Sequence, residues 1–148
     1  MNNEQIRPLA LGIVWRSDEL LVFEARDRVT GETYYRPLGG GIEFGERGHE
    51  ALRREFREEL GAELASTRYL ATTENIFTCN GERGHEIVLL YEATLANRSL
   101  YEQETFEVHE ETETLTARWM PLHEFQGSGP PLYPDGLLQI LANQGMIR

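Results

Sequence analysis

A chain of 148 residues with 40% apolar side chains suits one domain spanning residues 1–148, large enough to bury roughly 70% of the surface its unfolded form exposes. Its only cysteine, Cys79, excludes an intrachain disulfide, a Cys-x-x-Cys redox pair and a cysteine zinc knuckle, and fits a reducing compartment. With 25 acidic against 14 basic side chains the net charge is −11, which opposes attraction to nucleic acid and anionic lipid, and because every basic residue is arginine, Schiff-base chemistry and a P-loop lysine are excluded as well.

The segment from Met1 to Pro8 has no basic n-region. The apolar run after it, Leu9 to Trp15, is too short for a signal h-region or a membrane span, so a cytoplasmic protein is expected. Leu9–Trp15 and Glu19–Ala25 read as two strands joined by a turn at Arg16-Ser17-Asp18. Thr30-Gly31-Glu32 marks a second turn before the short strand Thr33–Arg36, and Pro37-Leu38-Gly39-Gly40-Gly41 is expected to be a loop with special torsions. From about Glu46 to Leu60 the pattern is helical, with Ala51, Leu52, Phe56 and Leu60 on one side and Gly61 as the stop.

Farther on, Arg68–Phe77 and Glu86–Leu95 read as strands joined through Asn80-Gly81, a favoured hairpin pair. Ile87–Tyr91 is apolar without alternation, as in a central strand covered on both faces. Leu100–Thr114 is acidic and predicted as a long loop; a last strand runs from Leu115 to Met120, and a terminal helix begins near Asp135. Mixed strands with helices on both faces predict an α+β sandwich.

The helix ending at Gly61 carries a local conflict. Glu55 lies three and four residues from Glu58 and Glu59, so three carboxylates converge on one face, each like-charged pair destabilising the helix by roughly 0.2–0.5 kcal/mol. Glu58 and Glu59 also occupy the last turn, where the helix dipole disfavours negative charge, and Glu59 has no basic neighbour at helical contact distance. A hard divalent cation resolves the conflict, because magnesium takes carboxylate, water and phosphate oxygens and can activate a water on a pyrophosphate. The glycine loop before the helix lets backbone approach metal or phosphate without a β-carbon in the way.

Gly40, Glu46, Arg54, Glu55, Glu58, Glu59 and Gly61 fill all seven fixed positions of Gly-x5-Glu-x7-Arg-Glu-U-x-Glu-Glu-x-Gly-U, so the 23 residues from Gly40 to Ala62 resemble the Nudix box. Phe56 and Ala62 stand where the family has bulky aliphatic residues, and the loop reads Pro-Leu-Gly-Gly where it often has Pro-Gly-Gly. The flanking strands, the Trp119-Met120-Pro121-Leu122 segment and the terminal helix also look like the family's layout. The resemblance implies a Nudix α/β/α sandwich with a mixed sheet and a hydrolase that cleaves a phosphoanhydride in a nucleoside diphosphate derivative. It implies magnesium or manganese bound by Glu55, Glu58 and Glu59 with the carbonyl of Gly39, and an ion pair of Arg54 with Glu46 that clamps loop to helix. It also implies a catalytic base that varies among members, so a box glutamate and one outside it stay open. Glu113, just before the last strand, is the outside candidate, with Glu86 as its rival.

Arg26, Arg28 and Arg36, together with Gly40 and Gly41, are candidates for phosphate contact; charge balance on an acidic surface explains the arginines equally well. Tyr34, Tyr35 and Phe44 are read as packing residues before base-stacking ones. His49, His85, His109 and His123 show no ligand spacing. No proline lies between Pro37 and Pro121, and Glu74–Gly81 holds no tyrosine, so the family's marks for ADP-ribose, NADH and dinucleoside-polyphosphate hydrolases are missing. A nucleoside triphosphate, an oxidised nucleotide or a nucleotide sugar remains, with a non-catalytic nucleotide sensor on the same fold as the alternative. Nucleic acid and membrane are not expected partners, and any oligomer is expected to be a homodimer.

Overall fold

The computed structural model describes residues 4–110 and 112–146, so Glu111 of the acidic segment lies outside the described residues. Its strands are β1 (Ile6–Ile13), β2 (Trp15–Arg16), β3 (Glu19–Arg26), β4 (Thr33–Gly41), β5 (Leu64–Cys79), β6 (Glu82–Leu95), β7 (Thr105–His109) and β8 (Thr114–Pro121). Helix α1 spans Gly48–Leu60 and α2 spans Leu137–Asn143. The sheet order is β5-β6-β1-β4-β3-β8-β7, with β2 on β3. The β1–β6 pair is parallel and every other pair antiparallel, so the sheet is mixed as expected.

Both faces of the sheet are covered. Along β1 and β3, Ala10, Leu21 and Phe23 pack with Ala51, Leu52 and Phe56 of α1. The alternate residues Leu9, Leu11, Leu20 and Val22 pack with Leu137 and Leu141 of α2. Strands buried on both sides are continuously apolar rather than alternating, which is why Leu20–Phe23 reads as an unbroken run. Among the described residues no helix is long and apolar enough to cross a membrane.

Two segments differ from the reading of the sequence. Pro37–Gly41 is not a loop; it completes β4, with Leu11, Ala10 and Leu9 opposite Gly39, Gly40 and Gly41. Its glycines serve close approach. A β-carbon on Gly39, whose φ is 142°, would stand 2.1 Å from the carbonyl oxygen of Ala10. The predicted long loop at Leu100–Thr114 instead contains a 3-10 turn, Arg98–Glu102, and strand β7, which buries Phe106 and Val108 and points its charges outward. The period-2 signal there is real but short, and the surrounding glutamates obscure it.

Helix α1 starts two residues later than expected, leaving Glu46 in the preceding loop. Glu50 accepts a hydrogen bond from the Arg47 N–H at 2.8 Å and closes the first turn. Gly61 ends the helix in the left-handed conformation, φ 66°, donating to Arg57 O while Ala62 donates to Phe56 O.

Candidate active site

A groove of about 430 Å³ runs between the glycines of β4, the C-terminal half of α1 and the β7–β8 connection. It gathers Gly39, Gly40, Gly41, Glu55, Glu58 and Glu59, the residues singled out from sequence. Arg36 joins them from β4; Arg26 and Arg28 do not line it. Arg26 instead donates to Gly31 O at 3.1 Å, and the Arg28 backbone N–H donates to Asn80 Oδ1 at 2.7 Å. Glu113 lines the groove, as does Glu110, which sequence reasoning passed over. Glu110 directly follows the end of β7 at His109 and interacts with Glu59 of α1, a juxtaposition that no local sequence pattern marks.

Arg54 organises the near wall. Its Nε and Nη2 hold both oxygens of Glu46, at 2.8 and 3.0 Å, and Nη2 also donates to the Gly41 carbonyl at 2.9 Å. Its Nη1 reaches Glu55 at 2.9 Å and Glu58 at 3.2 Å. One guanidinium thus ties the end of β4, the loop and the helix together through charge-assisted bonds. Arg54 and then the Glu43 backbone N–H hold the Glu46 carboxyl down to about 2, and Glu46 in turn raises Arg54.

Gly40 lies so close to α1 that a β-carbon there would stand 2.6 Å from Cδ of Glu55. Burial raises the Glu55 carboxyl, opposed by Arg54. Glu59 is only 2% exposed, and among the described residues neither of its oxygens has a hydrogen-bond partner. Burial and then Glu110 push it up to about 9; Arg36 works the other way. Its basic neighbour therefore comes from β4 and not from its own helix.

Among the described residues no three acidic, histidine or cysteine side chains already enclose a point where a metal would sit. Arg54 takes up charge on Glu55 and Glu58 instead. The donor set still fits a hard divalent cation. A buried carboxyl with two unpartnered oxygens is costly unless something outside the protein chain satisfies it. Oxygen donors on one helix face beside a glycine strand are what magnesium takes.

Among the described residues the histidines belong to no cluster that could hold a metal; His85 faces Glu74 at 2.8 Å, whereas His109 lines the groove. Glu86 lies outside the groove, in a neighbouring cavity. Tyr35 is buried, bonded through its hydroxyl to Glu24 and packed on Phe125, as expected of a core residue. Tyr34 lines the groove and the cavity, while Phe44 is fully exposed.

A family model described as NUDIX domain matches residues 6–141. The nucleoside triphosphatases NudI of Escherichia coli O139:H28 and of Shigella flexneri are each 38% identical over 95 residues, covering 60% of this chain and 67% of theirs. In structure, the MutT NUDIX hydrolase from Burkholderia pseudomallei is similar, with a TM-score of 0.62, 22% identity and coverage of 93% of this chain and 97% of that one. The E. coli ORF135 protein has a TM-score of 0.59 at 22% identity, covering 96% and 91%.

Proposed function

Because the chain belongs to the NUDIX family, and so is a nucleotide pyrophosphohydrolase, we propose that it cleaves a phosphoanhydride of a nucleoside triphosphate in a reaction that needs magnesium or manganese. The triphosphate is suggested by the NudI relatives, which are described as nucleoside triphosphatases. The observation that carries the cation requirement is Glu59, buried with both oxygens unpartnered beside Glu55 and opposite Glu110.

Glu55, Glu58 and Glu59, with the Gly39 carbonyl, are the proposed ligands. When bound, the cation neutralises phosphate charge and lowers the pKa of a coordinated water. Arg36, whose buried Nε makes no hydrogen bond among the described residues, and Arg7 are the proposed contacts to phosphate oxygens along the groove. Gly40 and Gly41 leave space for the phosphates, and Arg54 keeps Glu55 and Glu58 oriented through Glu46. Glu110 and Glu113 are the candidates outside the box for accepting the proton of the attacking water; Glu110 is the stronger because it interacts with Glu59.

The test is hydrolysis of the four common nucleoside triphosphates with magnesium or manganese, scoring monophosphate, pyrophosphate and phosphate. Monophosphate release that stops in chelator and returns with magnesium is expected. Undiminished turnover after exhaustive metal removal would refute the cation requirement.

A further inference from the structure

Beside the groove lies a second, more enclosed cavity of about 270 Å³. Arg7, Tyr34 and Arg36 line both spaces, so one ligand can occupy them together, phosphates in the groove and its other end in the cavity. Tyr34 and Tyr133 meet edge to face at 5.4 Å in the cavity wall. Phe77 lies over Gly84, where a β-carbon would collide with the ring at 2.3 Å, and this fixes the third aromatic. Asp27 closes the far end: it accepts from the N–H groups of Val29, Thr30 and Asn80, latching the β3–β4 turn to the β5–β6 turn. A cavity of this size with three aromatic rings in its wall suits contact with one planar ring.

Its polar groups are specific. Glu86 and Asn75 are register partners on β6 and β5, so their side chains sit side by side in the cavity. The Glu86 carboxylate makes no hydrogen bond among the described residues, its one ion pair being Arg7 at 4.0 Å. Asn75 is buried and its Oδ1 has no donor. Burial raises Glu86, while Arg36 and Arg7 favour its ionised, accepting form. Two adjacent acceptors that receive no hydrogen bond among the described residues call for N–H groups on the ligand edge. Cytosine, adenine and guanine carry an exocyclic amino group on that edge; uracil and thymine offer a single N3–H flanked by two carbonyl oxygens, which would be brought against the acceptors.

We propose that this cavity receives the substrate's base and that Glu86, with Asn75 beside it, selects bases bearing an exocyclic amino group over uracil and thymine. The proposal rests on the nucleotide substrate argued above and adds which bases it carries.

Equilibrium binding of CMP and UMP tests it apart from hydrolysis. CMP should bind wild type at least tenfold more tightly than UMP, and the kcat/KM for CTP should exceed that for UTP by a similar factor, chiefly through KM. Glu86→Gln, whose amide both donates and accepts, should bring the two affinities within about threefold. Asn75→Ala should narrow the gap independently, so that a poorly folded single variant does not decide the result. Equal binding of CMP and UMP to wild type, or an undiminished preference in both variants, would overturn the proposal. A CMP preference without hydrolysis of any triphosphate would sink the hydrolytic reading alone; hydrolysis without base preference would sink the base selection alone.

Discussion

Replacing Glu59 by glutamine should stabilise the metal-free protein while lowering its turnover. Glu59 is 2% exposed, has no hydrogen-bond partner for either oxygen among the described residues, and is pushed up to about 9 from an ordinary 4.5 by burial and then Glu110. The raised value belongs to an acid, so the sign is the reverse of a salt-bridged carboxylate. Below pH 4.5 the carboxyl is neutral folded or unfolded and there is no difference; as pH rises from 4.5 towards 9 only the unfolded chain ionises, and wild type loses stability. At pH 7 the unfolded carboxyl has been ionised over about 2.5 pH units at ~1.4 kcal/mol each, on the order of 3 kcal/mol. Glutamine keeps the shape and removes this penalty. An unfolding entropy of about 2.1 cal/mol/K per residue turns 3 kcal/mol into a rise of roughly 10 °C in Tm for a chain of this length. In magnesium the order should invert, because a cation held by the ionised carboxylate stabilises wild type and not the variant. The assay is thermal unfolding of both proteins in chelator from pH 4.5 to 8.5 and again in magnesium, with turnover alongside. A variant less stable than wild type in chelator, or a gap that does not widen with pH, would refute the reasoning.

Arg54→Ala removes the bonds to Glu46, Gly41 O, Glu55 and Glu58 together, so turnover should fall at least tenfold with a stability loss of about 1–3 kcal/mol. Unchanged turnover with unchanged hydrogen-exchange protection at 43–46 would argue against the clamp. Gly40→Ala and Gly39→Ala should separate chemistry from folding. The new methyl at Gly40 meets the movable Glu55 carboxylate and should cost activity with the fold intact. At Gly39 it meets the Ala10 backbone at a positive φ and should destabilise by about 3 kcal/mol or more, read by urea unfolding. Glu46, held down to about 2, contributes stability that is complete above pH 4.5 and lost as pH falls towards 2. Glu46→Gln should therefore flatten the acid limb of urea midpoints between those values, and an unaltered limb would count against the pairing.

The sequence alone determined the acidic helix, its glycine stop and the spacing that sets Glu46 against Arg54, because these are local: helical periodicity and residues within eight positions of one another fix them. It likewise announced a strand covered on both faces, since Ile87–Tyr91 is apolar without alternation. Only the tertiary structure decided what surrounds Glu59. Arg36 and Glu110 reach it from β4 and from the turn after β7, 23 residues before it and 51 after it, separations at which no periodicity links one residue to another. The same reason hid the role of Pro37–Gly41: three glycines read locally as freedom, whereas in the folded strand Gly39 lies against the β1 backbone and Gly40 against the Glu55 carboxylate of α1. Glu86 and Asn75 became neighbours through hairpin register, which a sequence suggests by its turn but which is counted residue by residue only in the folded ladder.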